Sequence, residues 1–186
     1  MVSIFSAASG ACRLTRDLLD FTKARLGGGF PINAVPLDLH DLARKVLREA
    51  ELAHPGREFH LRPGTDGQGT WDGDRLTQLL TNLARNAARY GEARTPVTVR
   101  TAAEGELLVL QVHNWCRPIP EALRARLFEP LQRGTLEVDP SGRSVGLGLF
   151  IAKHIAERHE GTISVSSTAA EGTTFTVRLP RALTGP

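Results

Sequence analysis

Residues 71–91 read WDGDRLTQLLTNLARNAARYG, and they contain the strongest structural pattern in the chain. Apolar residues recur in it every three or four positions, which predicts a helix from Gly73 to Tyr90 with one buried face. Asp72 stands at the expected N-cap, because its side chain can accept hydrogen bonds from the free N–H groups of the first turn. The predicted buried face consists of Leu76, Leu79, Leu80, Leu83 and Ala87.

Asn82 and Asn86 lie four residues apart and therefore share one face of this helix, away from the leucines. Their amide oxygens can line a polar pocket, and one of them can ligate Mg²⁺, which prefers oxygen ligands. Arg89 and Tyr90 follow one turn later, where they can contact phosphate and a base or sugar. The alternative is a pair of solvated surface residues, and taken alone the pair favours that alternative, since surface asparagine is common.

A second motif, Ser144-Val145-Gly146-Leu147-Gly148-Leu149, opens a helix predicted from Leu147 to His159. Glycines at a helix start let the backbone approach phosphate, and the free N–H groups attract anions. The alternative is a loop that needs a positive φ angle before the helix. The chain has no Walker A motif, and Ile151 replaces the last glycine of the dinucleotide fingerprint, so both of those sites are excluded.

Two further motifs place polar residues beside predicted strands. The segment His113-Asn114-Trp115-Cys116-Arg117-Pro118-Ile119-Pro120 follows an apolar strand predicted from Leu107 to Val112. A polar side chain at the end of a strand is well placed to contact the edge of a base. Gly172-Thr173-Thr174-Phe175 leads into the last predicted strand.

The rest of the pattern completes an α+β fold. Helices are also predicted from Asp38 to about Ala53 and from Pro120 to Leu127. Alternating polar and apolar residues predict strands at 58–62, 70–71, 97–101, 162–166 and 173–179. Together these elements predict a two-layer α/β sandwich, in which helices cover one face of a mixed, mostly antiparallel sheet.

Residues 3–26 form one more predicted amphipathic helix, whose apolar face has no partner in this chain. Glycine and proline enrichment at 27–36 indicates a linker. We therefore expect an N-terminal helix at 1–26, the linker at 27–36, the main domain at 37–181 and a tail at 182–186.

The composition of the 186 residues, 41% hydrophobic and 23% charged, is that of an ordinary globular protein. The formal net charge is +3, and basic residues are scattered among acidic ones, which argues against nucleic-acid binding. Cys12 and Cys116 show no metal-binding spacing. There is no apolar run of roughly 18 residues that would span a bilayer. The first ten residues lack a secretory pattern, so we expect a cytoplasmic protein.

In this order the motifs resemble the catalytic, ATP-binding domain of bacterial sensor histidine kinases, within the GHKL ATPase superfamily. The resemblance covers residues 37–181, and residues 13–21 resemble the second helix of a dimerisation and phosphoacceptor hairpin. The first hairpin helix, which carries the phosphorylated histidine in the family, has no counterpart here. The matching motifs are the N box at 71–91, the first glycine box at 112–120, the F box at 127–130, the second glycine box at 146–149 and the closing motif at 172–175.

This resemblance implies the Bergerat fold, with ATP and Mg²⁺ held between the N-box helix and a lid at 134–144. Asn86 would ligate the metal, and Phe128 would border the lid. The nucleotide-binding residues carried over by motif position are Asn82, Asn86, Arg89, Tyr90, Asn114, Ile119, Arg133, Gly146, Leu147, Gly148 and Thr173. The resemblance assigns no catalytic side chain in this chain.

The implied function is transfer of the ATP γ-phosphate to a histidine, from which it passes to a response regulator receiver domain. The N-terminal helix would support a homodimer, and without the acceptor helix we expect the chain alone to be inactive. Asn114 replaces the usual aspartate, while Cys116 and Ser144 replace glycines. These departures leave open a degenerate binding or dimerisation module with weak or no ATP binding.

Two lesser alternatives remain. An anti-sigma serine kinase belongs to the same superfamily, but the hairpin-like helix at 3–26 argues against it. His40-Asp41-Leu42 faintly resembles a phosphoacceptor box, although no proline follows at the usual place.

Overall fold

The computed structural model describes residues 15, 18–22, 31–131 and 146–182. Residues 18–22 are helical. The strands are β1 (Val35–Asp38), β2 (Phe59–Arg62), β3 (Gln68–Trp71), β4 (Val97–Glu104), β5 (Leu107–Asn114), β6 (Thr162–Thr168) and β7 (Gly172–Pro180). The helices are α1 (Leu39–Ala53), α2 (Gly73–Tyr90), α3 (Glu121–Arg124) and α4 (Gly148–Arg158).

The main sheet has five strands in the order β2-β4-β5-β7-β6. Strand β2 pairs with β4 in parallel, and the other neighbours pair antiparallel. Strands β1 and β3 form a separate two-stranded antiparallel sheet. This arrangement confirms the predicted two-layer α+β sandwich with a mixed, mostly antiparallel sheet.

The core lies between the sheet and helices α1, α2 and α4. The predicted apolar face of α2 is buried, with every member at most 1% exposed. Burying one such side chain stabilises the fold by about 1.5–3 kcal/mol. Trp71 is fully buried, and its indole N–H donates to the carbonyl of Pro180 at 2.6 Å, so β3 is joined to the end of β7.

Asp72 caps α2 and connects it to two other parts of the chain. One carboxylate oxygen accepts from the N–H of Arg75 at 3.1 Å, and the other accepts from the N–H of Asn33 at 2.9 Å. The N–H of Asp72 donates to Nε2 of His159 at 3.1 Å. Nδ1 of that buried histidine lies 2.8 Å from the carbonyl of Ile155, so the ring is neutral with its proton on Nδ1.

The structure differs from the sequence predictions at β1, at helix α3 and in the length of several strands. Val35 and Pro36, expected in the linker, belong to β1, where Pro36 faces Thr70 across a two-stranded sheet. Proline is tolerated there because the sheet has only edge strands. Helix α3 is shorter than predicted, and several strands are longer. The lid segment 134–144 and most of the predicted N-terminal helix lie outside the described residues.

Within the described part of the chain, no helix combines the length and apolarity needed to cross a membrane.

Candidate functional site

The polar face of α2 meets the first turn of α4. Asn82 is 5% exposed, and its Nδ2 has no hydrogen-bond partner among the described residues. Gly148, the first residue of α4, lies against it: a Cβ at Gly148 would be 3.6 Å from Oδ1 of Asn82 and 3.7 Å from Nη2 of Arg85. Asn86 lies half-buried one turn further along the same face. The structure therefore places Gly148 against Asn82, with Asn86 on the same face of α2.

The start of α4 presents backbone N–H groups at this contact. The N–H of Ile151 donates to the carbonyl of Leu147 at 2.9 Å. Leu147 is the N-cap residue, and its side chain makes no capping hydrogen bond. The N–H groups of 148–150 thus precede the helical ladder. Together with the helix dipole and the nearby guanidinium of Arg85, they favour an anion.

Gly146 is the first described residue after the lid segment, and it leads into α4. Its φ angle is +75°, a conformation that glycine adopts without strain. Its carbonyl accepts from the N–H of Leu131 at 3.1 Å, so the chain leaves at 131 and returns at 146 to the same place. Phe128 anchors the departing side by packing edge-on against buried Phe175 at 6.3 Å.

A second polar cluster lies where β5 and β7 meet. Asn114 faces Thr173 across these strands, both are 2% exposed, and Nδ2 of Asn114 has no partner in the described residues. Oγ1 of Thr173 lies 2.7 Å from Oγ of Ser167, which accepts from the N–H of Ile119 at 2.9 Å. Gly172 allows β7 to approach the end of β5, because a Cβ at position 172 would lie 2.7 Å from the carbonyl oxygen of Asn114.

Cys116 fits this cluster without backbone strain. In the described part of the chain, the non-glycine residues with positive φ are Arg94, Leu131 and Glu160, so position 116 does not need glycine. The thiol lies 3.1 Å from Oγ1 of Thr173. The replacement of the family's glycine by Cys116 therefore imposes no unfavourable φ angle on the backbone.

Helix α2 joins the two clusters. A Cβ at Gly91, just beyond the helix, would lie 3.5 Å from Cβ of Asn114. From Asn82 to Gly91 the helix rises about 1.5 Å per residue, or roughly 13 Å in all, which suits an elongated ligand. Tyr90 is 45% exposed at the rim, and the Arg89 guanidinium lies 5.3 Å from its ring centroid.

The predicted site residues thus fall into two groups. Asn82, Asn86 and the 146–148 backbone form one end, and Asn114, Ile119 and Thr173 form the other. Leu147 contributes only its backbone, because its side chain is 3% exposed and belongs to the core. Arg133 lies outside the described residues.

Sequence reasoning missed two residues of the site, Arg85 and Ser167. Arg85 stands inside the motif that carries Asn82 and Asn86, which was a usable signal. Ser167 lies one residue beyond the strand predicted at 162–166, and its role depends on facing Thr173 in the β6–β7 register.

His40 does not offer an accessible phosphoacceptor. The residue is 7% exposed, and its Nε2 is buried without a partner among the described residues. Nor does the described part of the chain contain a cluster of three or more histidine, cysteine or acidic residues that could hold a metal ion by themselves.

The chain is similar in sequence to known proteins. The chain is 36% identical over 181 residues to the probable sensor histidine kinase TcrY of Mycobacterium tuberculosis, covering 97% of this chain and 38% of that protein. It is 32% identical over 177 residues to a bacteriophytochrome of Pseudomonas aeruginosa, covering 95% of this chain and 24% of that protein. The chain therefore spans well under half the length of these curated relatives.

Solved structures show the same fold. Full-length ShkA, solved in complex with AMPPNP, matches with a TM-score of 0.77 at 26% identity, over 100% of this chain and 39% of that one. The Acinetobacter baumannii histidine kinase AdeS matches with a TM-score of 0.76 at 22% identity, over 96% of this chain and 82% of that one. Residues 71–183 match the family described as histidine kinase-, DNA gyrase B- and HSP90-like ATPases. The chain belongs to that family of ATPases.

Proposed function

We propose that this chain is the ATP-binding catalytic domain of a sensor histidine kinase. The observation that carries the proposal is the contact between α2 and α4. There the buried, unpartnered amide of Asn82 lies against the uncapped first turn of α4. A buried amide without a partner is costly, so a ligand that bonds to it binds at an advantage.

The residues at this end suit a triphosphate and Mg²⁺. The N–H groups of 148–150 would donate to phosphate oxygens, while Asn86 would supply an amide oxygen to the ion and Asn82 would line the same pocket. Because no acidic cluster is present there, phosphate oxygens and water would complete the ion's ligands. The ion, when bound, would neutralise charge on the transferring phosphate.

The other end suits the base. Asn114 presents a buried amide whose Nδ2 needs an acceptor, and its oxygen can accept from the amino group of adenine. Thr173, held by Ser167 and Cys116, would lie beside the base. Arg89 and Tyr90, exposed at the rim, would contact phosphate and nucleotide, with Arg133 and the lid segment covering the site.

In the whole protein, the bond between the β- and γ-phosphates would break, a bond from phosphorus to an imidazole nitrogen would form, and ADP would leave. The histidine would lie on a hairpin helix outside this chain, and the phosphoryl group would pass on to a response regulator receiver domain in the cytoplasm. Leu18 and Leu19, each 56% exposed on the N-terminal helical segment, support a homodimer contact through that helix.

Calorimetric titration with AMPPNP, with and without Mg²⁺, tests the nucleotide proposal. We expect Mg²⁺-dependent binding by the parent chain and a loss of about tenfold or more in affinity, roughly 1.4 kcal/mol, in Asn82→Ala. Asn86→Ala should remove the dependence on Mg²⁺. Thr77→Ala, a change on the same helix at a residue outside the proposed site, serves as the control and should bind like the parent.

Absence of binding by the parent chain, with recovery in Cys116→Gly, would instead support the degenerate module. Kinase activity needs a separate assay, in which the chain is mixed with the dimerisation hairpin of the mycobacterial relative and labelled ATP. Transfer of label to the hairpin histidine is the expected result.

A further inference from the structure

We infer that Arg57 is a positioning residue for the base end of the proposed nucleotide site. Arg57 lies in the turn between α1 and β2, outside every motif that suggests nucleotide binding. The inference rests on the proposed function, because it assigns to that site a residue that does not touch the ligand.

The guanidinium of Arg57 donates to four backbone carbonyls. Nη2 bonds to the carbonyls of Ala88 and Gly91, each at 2.9 Å. Nη1 bonds to the carbonyl of Thr95 at 3.0 Å and to that of Glu92. A guanidinium has five N–H groups in a rigid plane, so these contacts use most of its capacity and fix its orientation.

These carbonyls belong to the C-terminus of α2 and the turn that follows it. The last carbonyls of a helix have no partner within the helix, and they carry the negative end of its dipole. Arg57 satisfies the carbonyl of Ala88 and neutralises this end. Tyr90, at the rim of the proposed site, lies between two residues whose carbonyls Arg57 holds, Ala88 and Gly91.

The same turn is bonded to the end of β5. The N–H of Glu92 donates to the carbonyl of Trp115 at 2.7 Å. A Cβ at Gly91 would lie 3.5 Å from both Nη1 of Arg57 and Cβ of Asn114, so Gly91 lies between the two side chains. Arg57 therefore determines how the end of α2 sits against Asn114.

Arg57 is itself held in place from both sides. Its own N–H donates to the carbonyl of His54 at 3.0 Å, and the carbonyl of its neighbour Glu58 accepts from the N–H of Val97 at 2.9 Å. The guanidinium thus projects from a fixed backbone, as a positioning residue requires. No contact joins Arg57 to the phosphate end at Asn82 and Gly148 in the described part of the chain.

The test compares a ligand that has a base with one that does not. Affinities of the full chain for Mg-ADP and for Mg-tripolyphosphate are measured in the parent, Arg57→Lys and Arg57→Ala. We expect both variants to bind ADP about tenfold more weakly, while tripolyphosphate binding stays unchanged. Lysine keeps the charge but cannot reach four carbonyls. Arg62→Ala, an exposed arginine on β2, is the matched control.

Chemical rescue separates positioning from a general loss of stability. Guanidinium ion at millimolar concentration should restore ADP binding to Arg57→Ala and leave the parent and Arg62→Ala unchanged. An equal loss of affinity for ADP and tripolyphosphate would overturn the inference, as would an unchanged affinity for ADP.

A chain that binds neither ligand would defeat the proposed function without deciding this inference, so amide hydrogen exchange provides a second measurement. In Arg57→Ala we expect faster exchange at residues 88–95 and 113–116, with α1 and β6 unchanged. Unchanged exchange at these two segments would count against the role of Arg57 whatever the ligand result.

Discussion

Nη1 of Arg75 lies 3.1 and 3.0 Å from the two carboxylate oxygens of Asp20, and this contact joins the N-terminal helical segment to the start of α2. Asp20 is 4% exposed, and Nε2 of Gln78 donates to it at 2.8 Å. Beside it, Phe21 packs edge-on against Phe150 at 5.6 Å. The segment therefore contacts both α2 and α4, so the expectation that the N-terminal helix has no partner in this chain is wrong for these described residues.

Asp20→Asn is expected to loosen this contact. The variant keeps the size of the side chain but removes the charge that Arg75 pairs with, and charged hydrogen bonds of this kind contribute about 1.5–3 kcal/mol. Because Arg75 is partly exposed, we expect the lower end of that range. Hydrogen exchange at 18–22 and 74–78 should accelerate. Asp74→Asn, an exposed residue in the same turn, should leave both segments unchanged.

Gly148→Ala should separate nucleotide binding from folding. A Cβ at 148 would meet Asn82 at an ordinary contact distance of 3.6 Å, so the protein has room for it in the absence of ligand. We expect a thermal midpoint within about 2 °C of the parent and a loss of nucleotide affinity of about tenfold. Gly73→Ala makes the same change at the first residue of α2, away from the site. If both variants bind alike, the phosphate end lies elsewhere.

Stability should fall as the pH drops below the ordinary pKa of His159. Burial lowers the pKa of His159 below its ordinary value of 6.5, outweighing the bond to the Ile155 carbonyl and the charge of Asp72. Below pH 6.5 the unfolded chain binds a proton that the folded chain does not, so the free energy of unfolding decreases with falling pH. Above pH 6.5 the contribution of His159 to the free energy of unfolding does not change with pH.

Urea denaturation between about pH 5 and 7.5 checks this. His159→Gln has no titrating group, so its free energy of unfolding should be lower overall and show a weaker slope. His60→Gln makes the same change at a half-exposed histidine and shows whether the loss of slope is specific to His159. A parent curve that is flat across this range would refute a neutral, buried His159.

Cys116→Gly should not improve nucleotide binding. Because the backbone at 116 has no positive φ angle, glycine relieves no strain and adds freedom to the unfolded chain. We expect a loss of about 0.5–1 kcal/mol in stability and unchanged or weaker affinity for AMPPNP. Cys116→Ser, which keeps a hydrogen-bonding atom beside Thr173, is the control. Calorimetry and thermal unfolding of the three chains provide the comparison.

Much of the fold could be predicted from local patterns. The leucine stripe and the cap at Asp72 define α2, and alternation locates most strands, because both patterns record a single buried face. Strand β1 was missed because it has four residues, one of them Pro36, and depends on β3 as its partner. Strand β1 depends on its pairing with β3, and a segment of four residues is too short for alternating polar and apolar residues to predict that pairing.

The site was predictable only where it follows motifs. Asn82, Asn86 and Gly148 stand in recognisable stretches, and the structure places Gly148 against Asn82. The four contacts of Arg57 have no such signature, because they are made to backbone carbonyls that any sequence would supply. The backbone angle at Cys116 was equally hidden, since the residue type alone does not fix φ.

The position of β7 has a consequence for how the protein is made. This strand lies between β5 and β6 although it follows both in the chain. A growing chain emerges from the ribosome with its N-terminal parts first, so β5 and β6 have no partner between them until residues 172–180 appear. Thr173 arrives on that same strand. A partly synthesised domain therefore lacks one side of the proposed base end, and nucleotide binding at that proposed site would begin only with the strand that closes the sheet.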